Sequence, residues 1–398
     1  MMLTESRLQI DNRKIVVFGA GKIGRSFIGQ LFSRSGYEVV FVDINKKLIR
    51  DLNLKKQYNV VIKDNTGEQA LIITNVRGVS FSDSEKVVHE LADADIAAFS
   101  VGQQGLPATI PVIARALVLR RKLYGDFPLD FIIAENMRNS DKYIVEKLGE
   151  YLPPDYPLND LAGMVETSIG KMVPIMSQKD LENDPLQVFA EPYNTLIVAK
   201  KGFRNAIPDV KNLDPKENIK AWVDRKLFIH NLGHVTAAYL GFRKHPEANY
   251  VYEVLDDPEI FEITRNTMLQ SAGILMALYP GEFTNAQLEA HIDDLLHRFR
   301  NKTLGDTIFR VGCDLYRKLS PEDRIVAPIK AAIAFNKPYD LIMKALISAI
   351  SFRAIDENGN YLPSDEAFFR EAESGVNHII KNVCKLNHSG DSQARKEQ

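Results

Sequence analysis

The chain has 398 residues, 45% of them hydrophobic, which is enough for two or three domains with sizeable cores. Its 50 Lys and Arg residues nearly balance 52 Asp and Glu residues, so a net charge of -2 gives no reason to expect nucleic acid or an anionic membrane as a partner. Two cysteines, Cys313 and Cys384, are too few for a disulfide framework or a thiolate-rich zinc site, and we expect no metal. The sequence shows no apolar leader and no run of about 18 apolar residues, so we expect a cytoplasmic protein. We expect the polar tail, residues 388–398, to be mobile.

A glycine-rich motif follows the first predicted strand. Residues 14–18 are β-branched or aromatic and predict a buried strand, and a helical pattern through Phe27, Ile28 and Leu31 follows the motif. A G-x-G-x-x-G motif alone is weak evidence, but a dinucleotide-binding turn needs this strand–turn–helix order. Its glycines allow a tight turn, the approach of a pyrophosphate and close helix–strand packing. The predicted cofactor-binding residues of this turn are Gly19, Ala20, Gly21, Lys22, Ile23 and Gly24.

An acidic residue ends the second predicted strand, residues 38–42. Asp43 lies 19 positions after Gly24, where a carboxylate can accept hydrogen bonds from the adenosine ribose hydroxyls. Its charge would repel a 2′-phosphate, although Lys46 and Lys47 are close enough to leave NADP possible. We therefore predict a preference for NAD.

Strands and helices continue to alternate to about residue 213, which predicts an α/β, doubly wound Rossmann-type sheet. The stretch 52–63 is ambiguous between a helix end and a strand. The segments 186–189 and 195–198 are predicted strands, possible antiparallel additions to the sheet, and the basic residues 120–122 are interpreted as the solvated end of a helix. Gly102 and Asn136 each follow a predicted strand at the edge where ligands bind, so we assign Gly102 to the cofactor and Asn136 to a substrate oxygen or the nicotinamide.

From Asp214 onward the periodicity is helical, which predicts a nucleotide-binding domain at 1–213 and a mainly α-helical substrate domain at 214–398. We predict that Asp214 caps a long helix, with Pro215 in its first turn. Further helices are predicted to start at Thr284, which has Gln287 three residues later, and at Ser320, and a buried helix is predicted at 342–352.

The long helix carries three polar residues that can share a face. On a regular helix Lys226, His234 and Asn231 would lie at roughly 0°, 80° and 140° around the axis. Gly233 costs about 1 kcal/mol in a helix interior, which suggests that another backbone or a ligand comes close. From spacing alone, a buried structural helix is an equal alternative. We predict that the helical domain contributes these three residues to a cleft against the nucleotide domain, because clefts between domains are common ligand sites.

The motif Lys226-x₄-Asn231-x₂-His234, with Glu-Asn-Met at 135–137 and the glycine turn, resembles the polyol-specific long-chain dehydrogenases. The likeness spans most of the chain and includes the segments 183–186, 237–241, 317–320 and 323–324. The Lys-Asn-His motif is specific to this family, whereas the glycine motif is not.

The resemblance implies a metal-independent, NAD-dependent interconversion of a polyol or its phosphate with a ketose or its phosphate, most simply mannitol 1-phosphate with fructose 6-phosphate. Lys226 would be the general acid/base, Asn231 and Asn136 would donate hydrogen bonds to the reacting oxygen, and His234 would hold a neighbouring hydroxyl. A sugar phosphate would need fixed cations, although each available one, taken singly, also fits an ordinary ion pair. These cations are Arg310, Arg317, Lys318 and Arg324.

The chain departs from the family pattern at two places. Gly170 stands where the family usually carries an Asp, and Gln103 and Gln104 replace a more apolar segment. Oxidation of free mannitol and reduction of a hexuronate remain open as alternatives. A non-catalytic, NAD-binding sensor is the alternative of another class, motivated by Gly170. The oligomeric state is left open.

Overall fold

The computed structural model describes residues 13–386, so the predicted mobile tail lies outside the described residues. The chain divides into two compact units, Met1–Trp222 and Val223–Gln398. Within residues 13–386, no helix has both the length and the apolar character of a membrane span.

The strands of the described chain all lie in the first unit. In chain order they are β1 (Lys14–Phe18), β2 (Glu38–Asp43), β3 (Tyr58–Asp64), β4 (Gly67–Ile73), β5 (Val76–Ser80), β6 (Ile96–Phe99), β7 (Leu129–Ile133), β8 (Ala162–Ser168), β9 (Val188–Ala190), β10 (Leu196–Ala199) and β11 (Leu213–Lys216).

The main sheet has the strand order β11-β10-β8-β7-β6-β1-β2-β5, and its pairs from β5 to β8 are parallel. The central strands are buried along their length, as the unbroken apolar runs predict for a sheet covered on both faces. Side chains that alternate along these strands contribute to two separate apolar clusters, one on each face. The predicted Rossmann-type sheet is confirmed.

The segment that was ambiguous from sequence resolves into a helix end and a strand. The helix α2 ends at Lys55, and β3 and β4 form a hairpin with its turn at residues 65–66. With β9 they form a separate sheet of order β4-β3-β9. The prediction that residues 186–189 add an antiparallel strand to the main sheet is therefore wrong, since β9 pairs in parallel with β3. The prediction for β10 is confirmed, because β10 pairs antiparallel with β8.

The first unit contains seven α-helices among its described residues, with a π-helical turn, Gly24–Gly29, directly before the first. They are α1 (Gln30–Ser33), α2 (Lys46–Lys55), α3 (Ser84–Ala92), α4 (Leu106–Tyr124), α5 (Ser140–Gly149), α6 (Leu158–Leu161) and α7 (Gln178–Asn183). The interpretation of residues 120–122 as solvated is wrong for Arg120, which is 1% exposed. Its guanidinium donates hydrogen bonds to the carbonyls of Ala92, Ala94, Phe127 and Pro128.

The second unit is helical, as predicted. After α8 (Ile219–Arg225) and a second π-helical turn, Lys226–Asn231, come α9 (Leu232–Lys244), α10 (Val251–Leu255), α11 (Pro258–Leu278), α12 (Asn285–Phe299), α13 (Ile308–Gly312), α14 (Leu315–Lys318), α15 (Val326–Ala334), α16 (Asp340–Ile350), α17 (Pro363–Ala372) and α18 (Val376–Asn382).

Of the three helix starts predicted from sequence, one is confirmed and two are not. The capping box of Thr284 and Gln287 is confirmed at the start of α12. The prediction that Asp214 caps the long helix is wrong, because residues 213–216 form β11 at the edge of the sheet, where Pro215 is tolerated. The helix predicted at Ser320 begins only at Val326, after a turn.

Candidate functional site

The glycine turn after β1 has the geometry that its sequence predicts. Gly19 has a φ of +94°, and a Cβ there would overlap the carbonyl oxygen of Ser100, so only glycine fits. A Cβ at Gly24 would overlap the carbonyl of Gly19, which shows how closely the helix start packs on the turn. At Gly21, in contrast, no atom of the described chain lies within 4 Å of a Cβ position, so this part of the turn is open to a ligand.

Buried hydrogen bonds hold this turn in place. The guanidinium of Arg25 donates to the carbonyl of Ala20 at 2.7 Å and to that of Leu186 at 2.5 Å. The phenol of Tyr58 on β3 donates to the carbonyl of Arg25 at 2.7 Å. Burial lowers the pKa of Arg25 and raises that of Tyr58. Sequence reasoning did not predict these contacts, because their partners are distant in the chain.

Asp43 links the turn to the end of β2. Its carboxylate accepts hydrogen bonds from the backbone N–H of Ala20 at 2.7 Å and of Asn45 at 2.8 Å. Each carboxylate oxygen can accept more than one hydrogen bond, so capacity remains for ribose hydroxyls. The exposed Lys22 and half-buried Ile23 begin the helix beside the open position at Gly21. The turn therefore fits a dinucleotide by shape, by its backbone donors and by the position of its carboxylate.

Two further loops at the same edge of the sheet, one after β6 and one after β7, are hydrogen-bonded to each other. Gly102 has a φ of +77°, and the N–H groups of Val101 and Gly102 donate to the Glu135 carboxylate at 2.7 and 3.0 Å. Burial raises the pKa of Glu135, although these two hydrogen bonds oppose the shift. Asn136 follows with an exposed side chain, and its carbonyl accepts a hydrogen bond from Gln103 at 2.7 Å. Gln103, a departure from the family pattern, thus joins the two loops.

Gly170 leaves room for a side chain. A Cβ there would meet the Tyr193 ring at 3.6 Å, an ordinary contact. The next residue, Lys171, is buried and donates to the Tyr193 carbonyl at 2.6 Å and to the Asn194 amide oxygen at 3.0 Å. Its ammonium lies 5.3 Å from the centre of the Phe27 ring, on the helix after the glycine turn. Lys171 therefore supports that helix.

In the second unit, the predicted motif falls on a π-helical turn. Lys226 is the first residue of this turn and Asn231 the last, and the N–H of Leu232 bonds to the carbonyl of Leu227, five residues back. Bonds of this i→i+5 type bring residues five apart nearly above one another, so Lys226 and Asn231 lie closer around the axis than the roughly 140° predicted for a regular helix. Single π turns occur frequently at functional sites.

Lys226 is the one member of the motif that titrates near neutral pH. Burial, and then the positive charge of Arg324, lower its pKa to about 8. A lysine with this pKa is neutral in a large fraction of molecules at slightly alkaline pH, and it can then accept a proton.

His234 lies one turn further along, at the start of α9. Its ring stacks on Phe299, the last residue of α12, with centroids 4.5 Å apart and planes 5° apart. Its Nε2 atom lies 3.1 Å from Oδ2 of Asp306, a buried carboxylate that also pairs with Arg310. Burial lowers the pKa of His234 well below its usual value, and nearby cations lower it further, so the imidazole is neutral at pH 7. The sequence did not predict a role at the site for Asp306 or Phe299, because neither residue lies in a motif.

The four predicted phosphate-binding cations differ in their surroundings. Arg310 and Arg324 both act electrostatically on His234, and Arg324 also acts on Lys226, so the structure brings these two close to the motif. Lys318 also acts on His234, but its buried ammonium donates to the carbonyls of Val311 and Cys313, which favours a structural role.

Arg317 is exposed and pairs with Asp314 and Asp323, the arrangement of an ordinary surface ion pair.

Gly233 is approached closely by a side chain, and not by the backbone or ligand that we predicted. A Cβ there would overlap the side chain of Met268 on α11, so the glycine allows these two helices to pack closely.

Within the described residues, no group of three or more His, Cys, Asp or Glu side chains is arranged to hold a metal ion.

Comparison with known proteins matches both parts of the chain. Residues 13–212 match the family model of the mannitol dehydrogenase Rossmann domain, and residues 218–388 match that of the mannitol dehydrogenase C-terminal domain.

Solved structures show the same fold. A D-sorbitol dehydrogenase in its substrate-free form aligns with a TM-score of 0.74 at 18% identity, over 89% of this chain and 84% of its own. The Pseudomonas fluorescens mannitol 2-dehydrogenase, solved as a ternary complex with NAD and D-mannitol, aligns with a TM-score of 0.70 at 17% identity, over 91% of this chain and 85% of its own.

Proposed function

Because the chain belongs to the mannitol dehydrogenase family and is therefore an NAD-dependent polyol dehydrogenase, we propose that it interconverts mannitol 1-phosphate and fructose 6-phosphate. This is the reaction of a mannitol-1-phosphate 5-dehydrogenase, an enzyme that the sequence motifs resemble. A phosphorylated sugar is an intracellular metabolite, so we also propose a cytoplasmic location.

The observation that carries the choice of a phosphorylated substrate is the positive charge around the motif. Arg310 and Arg324 both lie within electrostatic range of His234, and Arg324 also affects Lys226. The neutral hydroxyls of a free polyol need no such charges, whereas a phosphate needs fixed cations, and Arg can bind it through two parallel hydrogen bonds. Both arginines also pair with carboxylates, Arg310 with Asp306 and Arg324 with Asp323, and Arg317 shares the Asp323 carboxylate.

In the proposed reaction Lys226 moves the proton. Its neutral amine takes the hydroxyl proton during polyol oxidation, and its ammonium returns a proton to the oxygen during ketose reduction. Burial lowers the pKa of Lys226 to about 8, and both protonation states are therefore populated at physiological pH. NAD, when bound, supplies the acceptor or donor of the hydride.

The remaining motif residues bind and orient in this proposal. The side-chain amides of Asn231 and Asn136 donate hydrogen bonds to the reacting oxygen as negative charge builds on it. The neutral imidazole of His234 holds a neighbouring hydroxyl. The cofactor is held by residues 19–24, by Gly102 and by Asp43, whose carboxylate favours NAD over NADP.

Steady-state assays of NADH oxidation test the proposal. We expect kcat/KM for fructose 6-phosphate to exceed that for fructose by at least about tenfold, the value of roughly 1.4 kcal/mol of phosphate binding. Arg324→Met should remove much of this preference, and Arg265→Met, which changes a half-buried arginine paired with Asp293, should not. Equal kcat/KM values for the two ketoses would contradict a phosphorylated substrate.

Arg310 and Arg324 are also compatible with a second candidate substrate, a hexuronate. A hexuronate carries a carboxylate, which Arg also binds through two hydrogen bonds. Fructuronate in the same assay separates the candidates, because its reduction with no activity on fructose 6-phosphate would favour a hexuronate reductase. NADH binding without turnover of any ketose or keto-acid would instead favour a sensor.

A further inference from the structure

His234 is held between an aromatic ring and a buried carboxylate. Its ring lies flat on Phe299, which is 2% exposed, and its Nε2 atom faces Asp306, which is 4% exposed. The stacked ring fixes the plane of the imidazole, and the carboxylate lies beside one of its two nitrogens. The arrangement therefore distinguishes Nε2 from Nδ1.

Asp306 is itself held firmly. Its carboxylate pairs with Arg310, and its backbone carbonyl accepts a hydrogen bond from the N–H of Val251 at 2.9 Å. Two residues further on, the N–H of Ile308 donates to the carbonyl of Asn249 at 2.8 Å. These bonds tie the loop before α13 to the start of α10. The carboxylate is therefore placed by contacts that are independent of His234.

We propose that Asp306 is a positioning residue that fixes the neutral tautomer of His234 with its proton on Nε2. An ionised carboxylate only accepts hydrogen bonds, so a neutral imidazole facing it is most stable as the Nε2–H form. Nδ1 then keeps its lone pair and can accept a hydrogen bond from a substrate hydroxyl. That last step rests on the proposed function, whereas the tautomer does not.

The distance of 3.1 Å between Nε2 and Oδ2 is within hydrogen-bonding range, although the ring N–H is not aligned with the oxygen. Hydrogen bonds around catalytic groups are frequently misaligned without substrate and become linear in the complex.

Burial, and then the positive charges around it, lower the pKa of His234 and keep its imidazole neutral in spite of the carboxylate. Besides Asp306, the ionisable groups that face it are Arg310, Arg324, Lys318, Arg298 and His230. Arg310 pairs with the carboxylate of Asp306, and the positive charges of Arg310, Arg324 and Lys318 all lower the pKa of His234. Protonation of His234 is therefore opposed, and the effect of Asp306 is to select a tautomer.

Nuclear magnetic resonance of ¹⁵N-labelled full-length protein tests the tautomer directly. Long-range ¹H–¹⁵N spectra at pH 7 should show His234 as the Nε2–H form, with its signals identified by their loss in His234→Gln. In Asp306→Asn we expect a second tautomer to appear. Asp293→Asn, which removes an exposed carboxylate paired with Arg265, should leave the spectrum unchanged.

Steady-state kinetics distinguish a positioning role of Asp306 from a purely structural one. If His234 binds a hydroxyl equally in the ground and transition states, Asp306→Asn should raise KM about tenfold for whichever substrate is turned over, with kcat and NADH affinity retained. Nδ1–H or doubly protonated His234 in the unaltered protein would overturn the proposal, even if Asp306→Asn fails to fold. The Nε2–H form without turnover of fructose 6-phosphate would sustain the assignment for Asp306 and contradict only the proposed substrate.

Discussion

The carboxylate of Asp43 accepts a hydrogen bond from the backbone N–H of Ala20 at 2.7 Å, so the residue that ends β2 also supports the glycine turn after β1. A carboxylate that supports the turn and faces the ribose would affect both the strength and the selectivity of cofactor binding. These two effects can be measured separately.

Asp43→Ala should weaken NADH binding by about 10- to 100-fold, because hydrogen bonds to a charged group contribute roughly 1.5–3 kcal/mol each. The ratio of NADPH to NADH affinity should rise, since the charge that repels a 2′-phosphate is gone. Fluorescence titration with both cofactors measures this. Asp51→Ala, on α2, is the control, and an unchanged affinity ratio in Asp43→Ala would argue against a ribose contact.

Gly21→Ala should separate folding from cofactor binding. The added methyl meets no atom of residues 13–386 within 4 Å, so the melting temperature should stay within about 2 °C. NADH affinity should nevertheless fall, because the methyl occupies the space through which a pyrophosphate approaches the backbone. Gly149→Ala, which is equally open, should change neither quantity. Retained NADH affinity in Gly21→Ala would contradict this binding mode.

Lys226→Met should lower kcat by about 10²- to 10⁴-fold, the usual contribution of a general acid/base, with NADH affinity retained. Stopped-flow and steady-state rates of polyol oxidation measure this. Lys220→Met is the matched control on the same helix, because the side chain of Lys220 is exposed. Equal turnover by Lys226→Met and the unaltered enzyme would refute the proposed mechanism.

The pH dependence of polyol oxidation should report on Lys226. Its pKa is about 8 in the folded protein, so kcat should rise with pH through about 8 as the amine loses its proton. The positive charge of Arg324 lowers that pKa, so Arg324→Met should raise it and move the rise to more alkaline pH. Arg265→Met should leave the profile in place. A shift toward acidic pH in Arg324→Met would contradict this electrostatic assignment.

Arg120→Met should destabilise the first unit by about 3 kcal/mol or more. Its guanidinium donates to four backbone carbonyls, and its loss leaves buried acceptors without partners. The neighbouring Arg121 is only half-buried and pairs with the exposed Asp126, so Arg121→Met should cost about 1 kcal/mol or less. Urea unfolding compares the two variants, and equal losses would show that burial of Arg120 contributes nothing.

Local patterns in the sequence were sufficient for much of the molecule. The strand, glycine turn and helix at residues 14–33 could be predicted because the turn depends on residues adjacent in the chain. The helix start at Thr284 could be predicted for the same reason, since its capping box spans four consecutive residues. The Rossmann-type sheet followed from unbroken apolar runs, which strands need when both faces are covered.

Only the tertiary structure decided which distant residues meet. The sequence alone did not indicate that Asp306 would face His234, that Arg120 would be buried, or that the segment 213–216 would join the sheet as an edge strand. No pattern of residues in the sequence predicted the π-helical turn that begins at Lys226. Spacing along the chain determines which side chains share a strand or helix face, whereas burial and pairing depend on packing between elements far apart in sequence.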